Sequence, residues 1–174
     1  MGREGPVLGI DPGSVATGFG LVCKRGSENL KVIHAGVIRT NSKQTFPARL
    51  KYLYDEIINI IDKFKPIACA IEDVFVAKNV RSALKLGHAR ASLIMAALNS
   101  GLSVYEYSPL EIKKAVVGYG RADKRQVQQM VSIILNLKTP FPKDASDALA
   151  VALCHIQSMN LSRFITLKLS GEIR

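Results

Sequence analysis

The chain has 174 residues, of which 48% are hydrophobic, and its 24 Lys and Arg against 14 Asp and Glu give a net charge of +10. This length allows a sizeable core, and the hydrophobic fraction excludes a disordered chain. The three cysteines are far apart and share no C-x-x-C spacing, which excludes a disulfide framework and a thiolate zinc site, so we expect them in the core.

The excess of positive charge favours a polyanionic partner, nucleic acid above all. A basic surface also occurs on proteins that bind anionic membranes or that only stay in solution. No stretch approaches the ~20 continuous apolar residues that span a bilayer, so we expect a cytoplasmic protein without a membrane span. We expect one domain over residues 1–174, with a core over residues 7–158 and a short basic tail.

The first part of the chain predicts three antiparallel strands followed by a helix. Apolar runs over residues 7–11, 17–24 and 30–39 predict the strands, and the short connections DPGSVA and RGSEN predict a meander. From residue 45 to residue 65, apolar side chains recur at spacings of three and four. This spacing predicts an amphipathic helix packed on the sheet, which ends before Pro66.

The second part of the chain alternates strands and helices. The run 67–75 predicts a fourth strand, parallel to the first because a helix crosses over between them, and 102–107 predicts a fifth. A long helix over 79–99 carries more than one apolar stripe, so we expect it to be buried on two sides within the domain or to contact a second copy. Further helical segments are predicted over residues 109–116, 124–137 and 144 to about 159. The fold class is α/β, with a mixed five-stranded sheet of three antiparallel and then two parallel strands, flanked by helices on both faces.

Acidic residues stand at the ends of the predicted core elements. Asp11 ends the first strand, and Glu72 and Asp73 close the fourth. Because the carboxyl ends of parallel neighbours meet at one edge of a sheet, Asp11 lies beside one of that pair, and the periodicity leaves open which one. Asp144 and Asp147 open the last helix, three residues apart and on one helix face.

For the two acids of the last helix, capping and the helix dipole are a sufficient local explanation. The helix after Asp147 is nevertheless almost wholly apolar through Leu153, which anchors its start in the core. Several carboxylates at one place repel each other unless cations lie between them. Oxygen ligands without His or Cys select Mg²⁺ or Mn²⁺, and two such ions about 3.5–4 Å apart support in-line displacement at phosphorus.

Four blocks of sequence carry a family resemblance: GIDPGSVATGFGLV, AIEDVFVAKNVRSALKLGHAR, VVGYGRADKRQVQQMV and DASDALAVALCH. In this order they resemble the bacterial RuvC Holliday-junction resolvases over residues 7–158. The resemblance implies an RNase H-like fold, a homodimer and Mg²⁺-dependent nicking of two strands of like polarity at a four-way DNA junction, in recombination and repair. It also implies the branch-migration proteins RuvA and RuvB as partners.

The resemblance further implies roles for individual residues. The acidic ligands of the family, which would hold a pair of Mg²⁺ ions per subunit or Mn²⁺ in their place, correspond to Asp11, Glu72, Asp144 and Asp147. Basic residues that hold or neutralise the phosphate in catalysis correspond to Lys113 and Lys124. An aromatic that stacks on an unpaired base corresponds to Phe75, for which a place in the core is the alternative. Further candidate DNA contacts are Lys78, Arg81, Lys85, Lys114 and Arg125, for which an exposed solubilising charge is the alternative.

Two other classes of protein share part of this pattern. An actin-like sugar or acetate kinase also begins with strand, Asp, Gly, turn and strand, but it needs a duplicated fold and a second phosphate loop, and ATP turnover would reveal it. A catalytically silent junction-binding protein would lack part of the acidic set, and titrating Mg²⁺ into a four-way junction separates it from a nuclease.

Overall fold

The computed structural model describes residues 5–25, 29–73 and 79–169. This part of the chain forms five strands and five helices. In chain order they are β1 (Val7–Asp11), β2 (Ala16–Arg25), β3 (Asn29–Arg39), α1 (Phe46–Phe64), β4 (Ala68–Glu72), α2 (Val80–Asn99), β5 (Val104–Tyr107), α3 (Pro109–Val117), α4 (Lys124–Ile134) and α5 (Lys143–Leu169).

The strands form one sheet in the order β3-β2-β1-β4-β5. The β1–β2 and β2–β3 pairs are antiparallel, whereas β4 runs parallel to β1, and β5 runs parallel to β4. The predicted mixed sheet is therefore confirmed. Because α1 and α2 are the crossovers into β4 and β5, the carboxyl ends of β1, β4 and β5 meet at one edge, which we call the site edge.

Helices cover both faces of the sheet, as predicted. Successive residues of β1 point to opposite faces, so that Val7 joins a core with α3, α4 and α5, while Leu8 and Ile10 join a core with α1 and α2. We call these the α5 face and the α1 face. The long helix α5 lies across β1 and β2, and its residues 148–156 are all buried. The centre of the molecule is therefore the apolar part of α5, packed on β1 and β2.

Two strand glycines allow α5 to lie close to the sheet. A Cβ at Gly9 would lie 2.1 Å from the carbonyl oxygen of Ala148, and a Cβ at Gly18 would lie 1.9 Å from that of Asp144. Both clashes are with main-chain atoms of the helix, so any side chain there would push α5 off the sheet. Since Gly18 pairs with Asp11 across β2 and β1, this packing brings the start of α5 next to the end of β1.

Several predicted boundaries are wrong. The last helix ends at Leu169 rather than near 159, because no glycine or proline interrupts the helix before that point. The fourth strand ends at Glu72, and residues 74 and 75 of the predicted strand lie outside the described residues. The helix α4 ends at Ile134 rather than 137, shortly before Asn136 adopts a positive φ of 47°. The predicted helical turn after β5 is a nine-residue helix with a capping box between Ser108 and Glu111.

The prediction that α2 is buried on two sides within the domain is also wrong. One side packs on the α1 face of the sheet through Ala89, Leu93, Ala96 and Ala97. The opposite side carries apolar residues that are 48–71% exposed: Val80, Leu84, Met95 and Leu98. The apolar stripe on this side is not covered by any element of the described chain, so contact with a second copy is the expectation that stands.

Two of the three cysteines lie in the core, as expected, and the third does not. Cys69 and Cys154 are buried, Cys23 is partly buried, and all three are free thiols. No helix among the described residues is both long enough and apolar enough to cross a membrane.

Candidate active site

Asp11 and Glu72 lie at the carboxyl ends of the two adjacent central strands. The β1–β4 pairing ends at Ile10 and Ile71, one residue before each acid. By strand alternation both acids point to the α5 face, opposite to Ile10 and Ile71. The Asp11 carboxyl in its protonated form donates a hydrogen bond to the Glu72 carboxylate. Of the two acids that close β4, Glu72 is thus the one beside Asp11.

The pKa values of both acids of this pair are raised. Burial is the main cause that raises the pKa of Asp11 to about 8, and the charges of Glu72 and Asp147 raise it further, against a smaller opposite effect of Lys124. Burial also raises the pKa of Glu72, with Asp147 adding to the shift, while the hydrogen bond from Asp11 and the charges of Lys124 and Lys113 lower it. The site therefore favours either a bound proton or a bound cation.

Asp147 is the third acid of this group, and it comes from α5. Its side chain is 17% exposed and lies 3.7 Å from Lys124 Nζ. Gln128 Nε2 donates a 3.4 Å hydrogen bond to Asp147 Oδ1. The sequence analysis gave Gln128 no role, although its spacing of four from Lys124 places both side chains on one face of α4. The start of α4 therefore faces the start of α5 across the site.

Asp144 has a different relation to the other acids. It lies in the first turn of α5, where a carboxylate is favoured by the helix dipole. Its main-chain carbonyl lies against Gly18, the residue that pairs with Asp11. Its carboxylate is not among the main contributors to the pKa shifts of Asp11 and Glu72. The structure thus brings together the side chains of Asp11, Glu72 and Asp147, and Asp144 lies one helical turn before Asp147 in the same helix.

Both predicted lysines act on the acids through their charge. A helix cap sets the position of one of them. The capping box between Asp123 and Gln126 starts α4 at Lys124, which reaches Asp147. Lys113 lies in α3, half-buried, and its charge acts on Glu72. Two helices that follow the sheet in sequence therefore supply the positive charges of the site.

Asp73 points away from the site, as strand alternation predicts. Its carboxylate lies 3.5 Å from a guanidinium nitrogen of Arg90, a residue of α2. Arg90 Nε donates a 3.1 Å hydrogen bond to the main-chain carbonyl of Glu72, and the same guanidinium pairs with Glu106 of β5. The sequence analysis missed Arg90, since its partners are distant in the chain.

Side-chain hydrogen bonds hold the turn that follows β1. Thr17 Oγ1 donates to the carbonyl of Gly13 at 2.8 Å, and Thr40 Oγ1 donates to that of Ser14 at 3.1 Å. Arg49 donates to Thr40 Oγ1 at 3.0 Å and also to the Ser14 carbonyl. These contacts, which the sequence analysis missed, set the direction in which the chain leaves the first acid of the site.

The other predicted DNA contacts fall into two groups. Phe75 and Lys78 lie outside the described residues. The remaining four are exposed, in the first turns of α2, in α3 and at the start of α4: Arg81, Lys85, Lys114 and Arg125. Because α2 follows β4 in the chain, its first turns lie toward the site edge.

The acids fit a hard divalent cation by the chemistry of their donors. Carboxylate oxygens are the preferred ligands of Mg²⁺ and Mn²⁺, and a cation would relieve the repulsion from Glu72 and Asp147 that adds to the effect of burial on the pKa of Asp11. Within the ranges 5–25, 29–73 and 79–169, no group of three or more Asp, Glu, His or Cys side chains is arranged so as to hold a metal ion. The acids are thus close enough to interact electrostatically without forming a closed ligand shell.

A mixed sheet in this strand order, with helices on both faces and acids at the ends of its central parallel strands, defines an RNase H-like nuclease. The family model for the crossover junction endodeoxyribonuclease RuvC matches residues 7–155. The chain belongs to the RuvC family, which is a family of endonucleases. Membership of this family sets aside the actin-like phosphotransferase.

Both a sequence relative and a solved structure match this chain over nearly its whole length. A crossover junction endodeoxyribonuclease RuvC from Geobacter sp. (strain M21) is 50% identical over 159 residues, which are 91% of this chain and 96% of the relative. Thermus thermophilus RuvC, solved in complex with a Holliday junction substrate, matches with a TM-score of 0.86 and 33% identity, over 91% of this chain and 97% of that one. A yeast mitochondrial Holliday junction resolvase has a TM-score of 0.66 at 15% identity, over 87% of this chain and 78% of that one, and shows the fold alone.

Proposed function

We propose that this chain resolves Holliday junctions by hydrolysing one phosphodiester bond in each of two strands of like polarity, leaving 5′-phosphate and 3′-hydroxyl ends. The observation that carries the proposal is the group of Asp11, Glu72 and Asp147 at the site edge, with Lys113 and Lys124 beside it. A net charge of +10 supplies affinity for a polyanion. The junction bound by the Thermus thermophilus relative supports this choice of substrate.

In the proposed mechanism, Asp11, Glu72, Asp144 and Asp147 would hold a pair of Mg²⁺ ions, with Mn²⁺ as an acceptable substitute. Bound ions of this kind supply Lewis-acid activation of water and charge stabilisation at phosphorus. Lys124 and Lys113 hold the scissile phosphate and offset negative charge that develops on its oxygens. Asp11 would have to lose its proton for this role, and a bound cation would offset the negative charges of Glu72 and Asp147, which add to the effect of burial on its pKa.

We further propose that two chains pair through the exposed stripe of α2. Apolar side chains as exposed as Val80, at 71%, and Leu84, at 59%, favour burial against a partner. Gly87 and Ala91 on the same helix are exposed and small, which allows a second backbone to come close. A twofold dimer would present two sites to a junction that itself has approximate twofold symmetry, and paired nicks follow from the matched symmetry.

Further partners and contacts complete the proposal. We assign phosphate contacts to Lys78, Arg81, Lys85, Lys114 and Arg125, and base stacking at the junction centre to Phe75. The branch-migration proteins RuvA and RuvB are the expected protein partners, as in the family. The reaction acts on chromosomal DNA, so we place the chain in the bacterial cytoplasm.

The test is cleavage of a synthetic four-way junction by the wild-type chain and by Asp11→Asn. We expect paired nicks from the wild type in Mg²⁺, and we expect Asp11→Asn to bind the junction but not to nick it. Asp62→Asn is the matched control, because Asp62 is exposed and pairs only locally with Lys65 in the described structure. Undiminished nicking by Asp11→Asn would contradict the assignment of the site. Binding without nicking by the wild type would show a non-catalytic junction-binding protein instead.

A further inference from the structure

We propose that Arg90 is a positioning residue that holds the end of β4 and thereby aims the Glu72 carboxylate at the site. The inference rests on the proposed function, because it assigns Arg90 a task in that reaction. Arg90 lies in α2 on the α1 face, with its side chain 15% exposed, and it does not lie among the acids of the site. Its effect on the reaction would therefore pass through the main chain of β4.

The end of β4 is held by contacts other than its pairing with β1. The ladder with β1 ends at Ile71, so Glu72 lies beyond the paired part of β1. Arg90 Nε donates a hydrogen bond to the carbonyl of Glu72 at 3.1 Å, and the amide of Asp73 donates to the carbonyl of Tyr107 at 2.8 Å. Both bonds are made by the peptide group that joins Glu72 to Asp73, so they fix the orientation of the main chain directly after the Glu72 side chain.

Charge explains why an arginine occupies this position. Asp73 and Glu106 bring two carboxylates to the α1 face, directly behind the acids on the α5 face. The guanidinium of Arg90 pairs with both of them while Nε remains on the carbonyl of Glu72. A lysine has one nitrogen, so it cannot make all these contacts in the same planar arrangement. Arg90 thus joins β4, β5 and α2 at the site edge.

The expected consequence is a defect in the chemical step rather than in DNA binding. A small displacement of a reacting or ligating group costs on the order of 100-fold in rate. We expect Arg90→Gln to lower kcat at least about tenfold at saturating junction and saturating Mg²⁺. Its affinity for the junction, measured in Ca²⁺, should stay close to that of the wild type. Arg90→Lys should give an intermediate kcat.

A second readout follows metal binding without DNA or turnover. Mg²⁺ should raise the Tm of the wild type, because ions that bind the folded chain stabilise it. In Arg90→Gln the Mg²⁺ concentration that gives half of this rise should increase several-fold, since Glu72 is no longer aimed at the site. Lys51→Gln is the matched control, because it also removes one positive charge, here from an ion pair on the exposed surface of α1.

The double variant Asp73→Asn with Glu106→Gln separates positioning from charge balance. It leaves the hydrogen bond from Arg90 to the Glu72 carbonyl in place, so we expect a kcat near that of the wild type. A kcat as low as that of Arg90→Gln would overturn the proposal, as would an unchanged kcat and metal response in Arg90→Gln. If Arg90→Gln does not fold, Arg90→Lys decides by the same criteria. Failure of the wild type to nick junctions would instead refute the proposed function.

Discussion

The protonated carboxyl of Asp11 donates a hydrogen bond to the carboxylate of Glu72 where β1 and β4 end side by side. The proton between them offsets the repulsion of two partly buried anions, and a divalent cation would do so more completely. The bond thus belongs to the metal-free protein, and it links the stability of that protein to pH.

We predict that the stability of the metal-free chain falls as the pH rises from about 5 to about 8. The pKa of Asp11 is raised from its ordinary 3.8 to about 8 in the folded chain. The folded state therefore binds more protons than the unfolded state between these values, and this contribution is lost as the pH rises through the folded pKa. Asp11→Asn should remove much of the fall and stabilise the chain by about 1–2 kcal/mol at pH 8.

Urea unfolding in the presence of EDTA over this pH range measures the effect. Asp62→Asn, on the exposed surface of α1, should follow the wild-type curve. The same pH slope in wild type and Asp11→Asn would show that Asp11 is not the group responsible.

A methyl group at Gly9 should separate α5 from the sheet. Its Cβ would lie 2.1 Å from the carbonyl oxygen of Ala148, and main-chain atoms of a buried helix cannot move aside locally. We expect Gly9→Ala to destabilise the chain by about 3 kcal/mol or more, as overpacking does when backbone has to shift. Gly36→Ala is the matched strand control, because its Cβ meets the ring of Phe19, a side chain that can rotate. Chemical unfolding of both variants gives the comparison, and equal losses would contradict this account.

Removing the charge of Lys124 should slow cleavage while leaving the fold intact. Its Nζ lies 3.7 Å from Asp147, and the side chain is 70% exposed, so the packing loss is small. We expect Lys124→Ala to lower the single-turnover rate constant by about 100- to 1,000-fold, the range typical of a group that stabilises transition-state charge. Single-turnover cleavage of a four-way junction measures it. Lys138→Ala, an exposed charge in the loop after α4, should cleave at the wild-type rate, and an equal loss there would point to a general electrostatic effect.

A charge on the exposed stripe of α2 should prevent pairing of two chains. Leu84 is 59% exposed, so Leu84→Glu should fold normally, whereas a carboxylate buried in a dimer contact is costly. Light scattering after size exclusion should show a dimer for the wild type and a monomer for Leu84→Glu, and the paired nicks should become uncoupled. Leu161→Glu, at an equally exposed position of α5, should remain dimeric. A dimeric Leu84→Glu would place the interface elsewhere.

Local patterns predicted the elements well where the physical cause is local. Apolar runs and turn residues are sufficient to place β1, β2 and β3, because strand alternation and tight turns depend on neighbours in the chain. The same reasoning failed for α2. Its sequence shows several apolar stripes, but it does not show which stripe packs on the sheet and which stays exposed within the domain. It also failed for the end of α5, where the helix continues through residues 157–162 although their side chains are exposed.

From its sequence alone, this protein could be predicted to be a basic α/β chain that ends its core strands in carboxylates, because composition, periodicity and motif order are properties of the chain. Periodicity left Glu72 and Asp73 as alternatives beside Asp11, and the tertiary structure shows that Glu72 is the one, as the family resemblance implied. Only the tertiary structure shows that the charge of Asp147 acts on this pair and that Arg90 donates to the carbonyl of Glu72. The reason is physical: these relations join residues far apart in the chain, and they arise only when strands pair and α5 packs against glycines of the sheet.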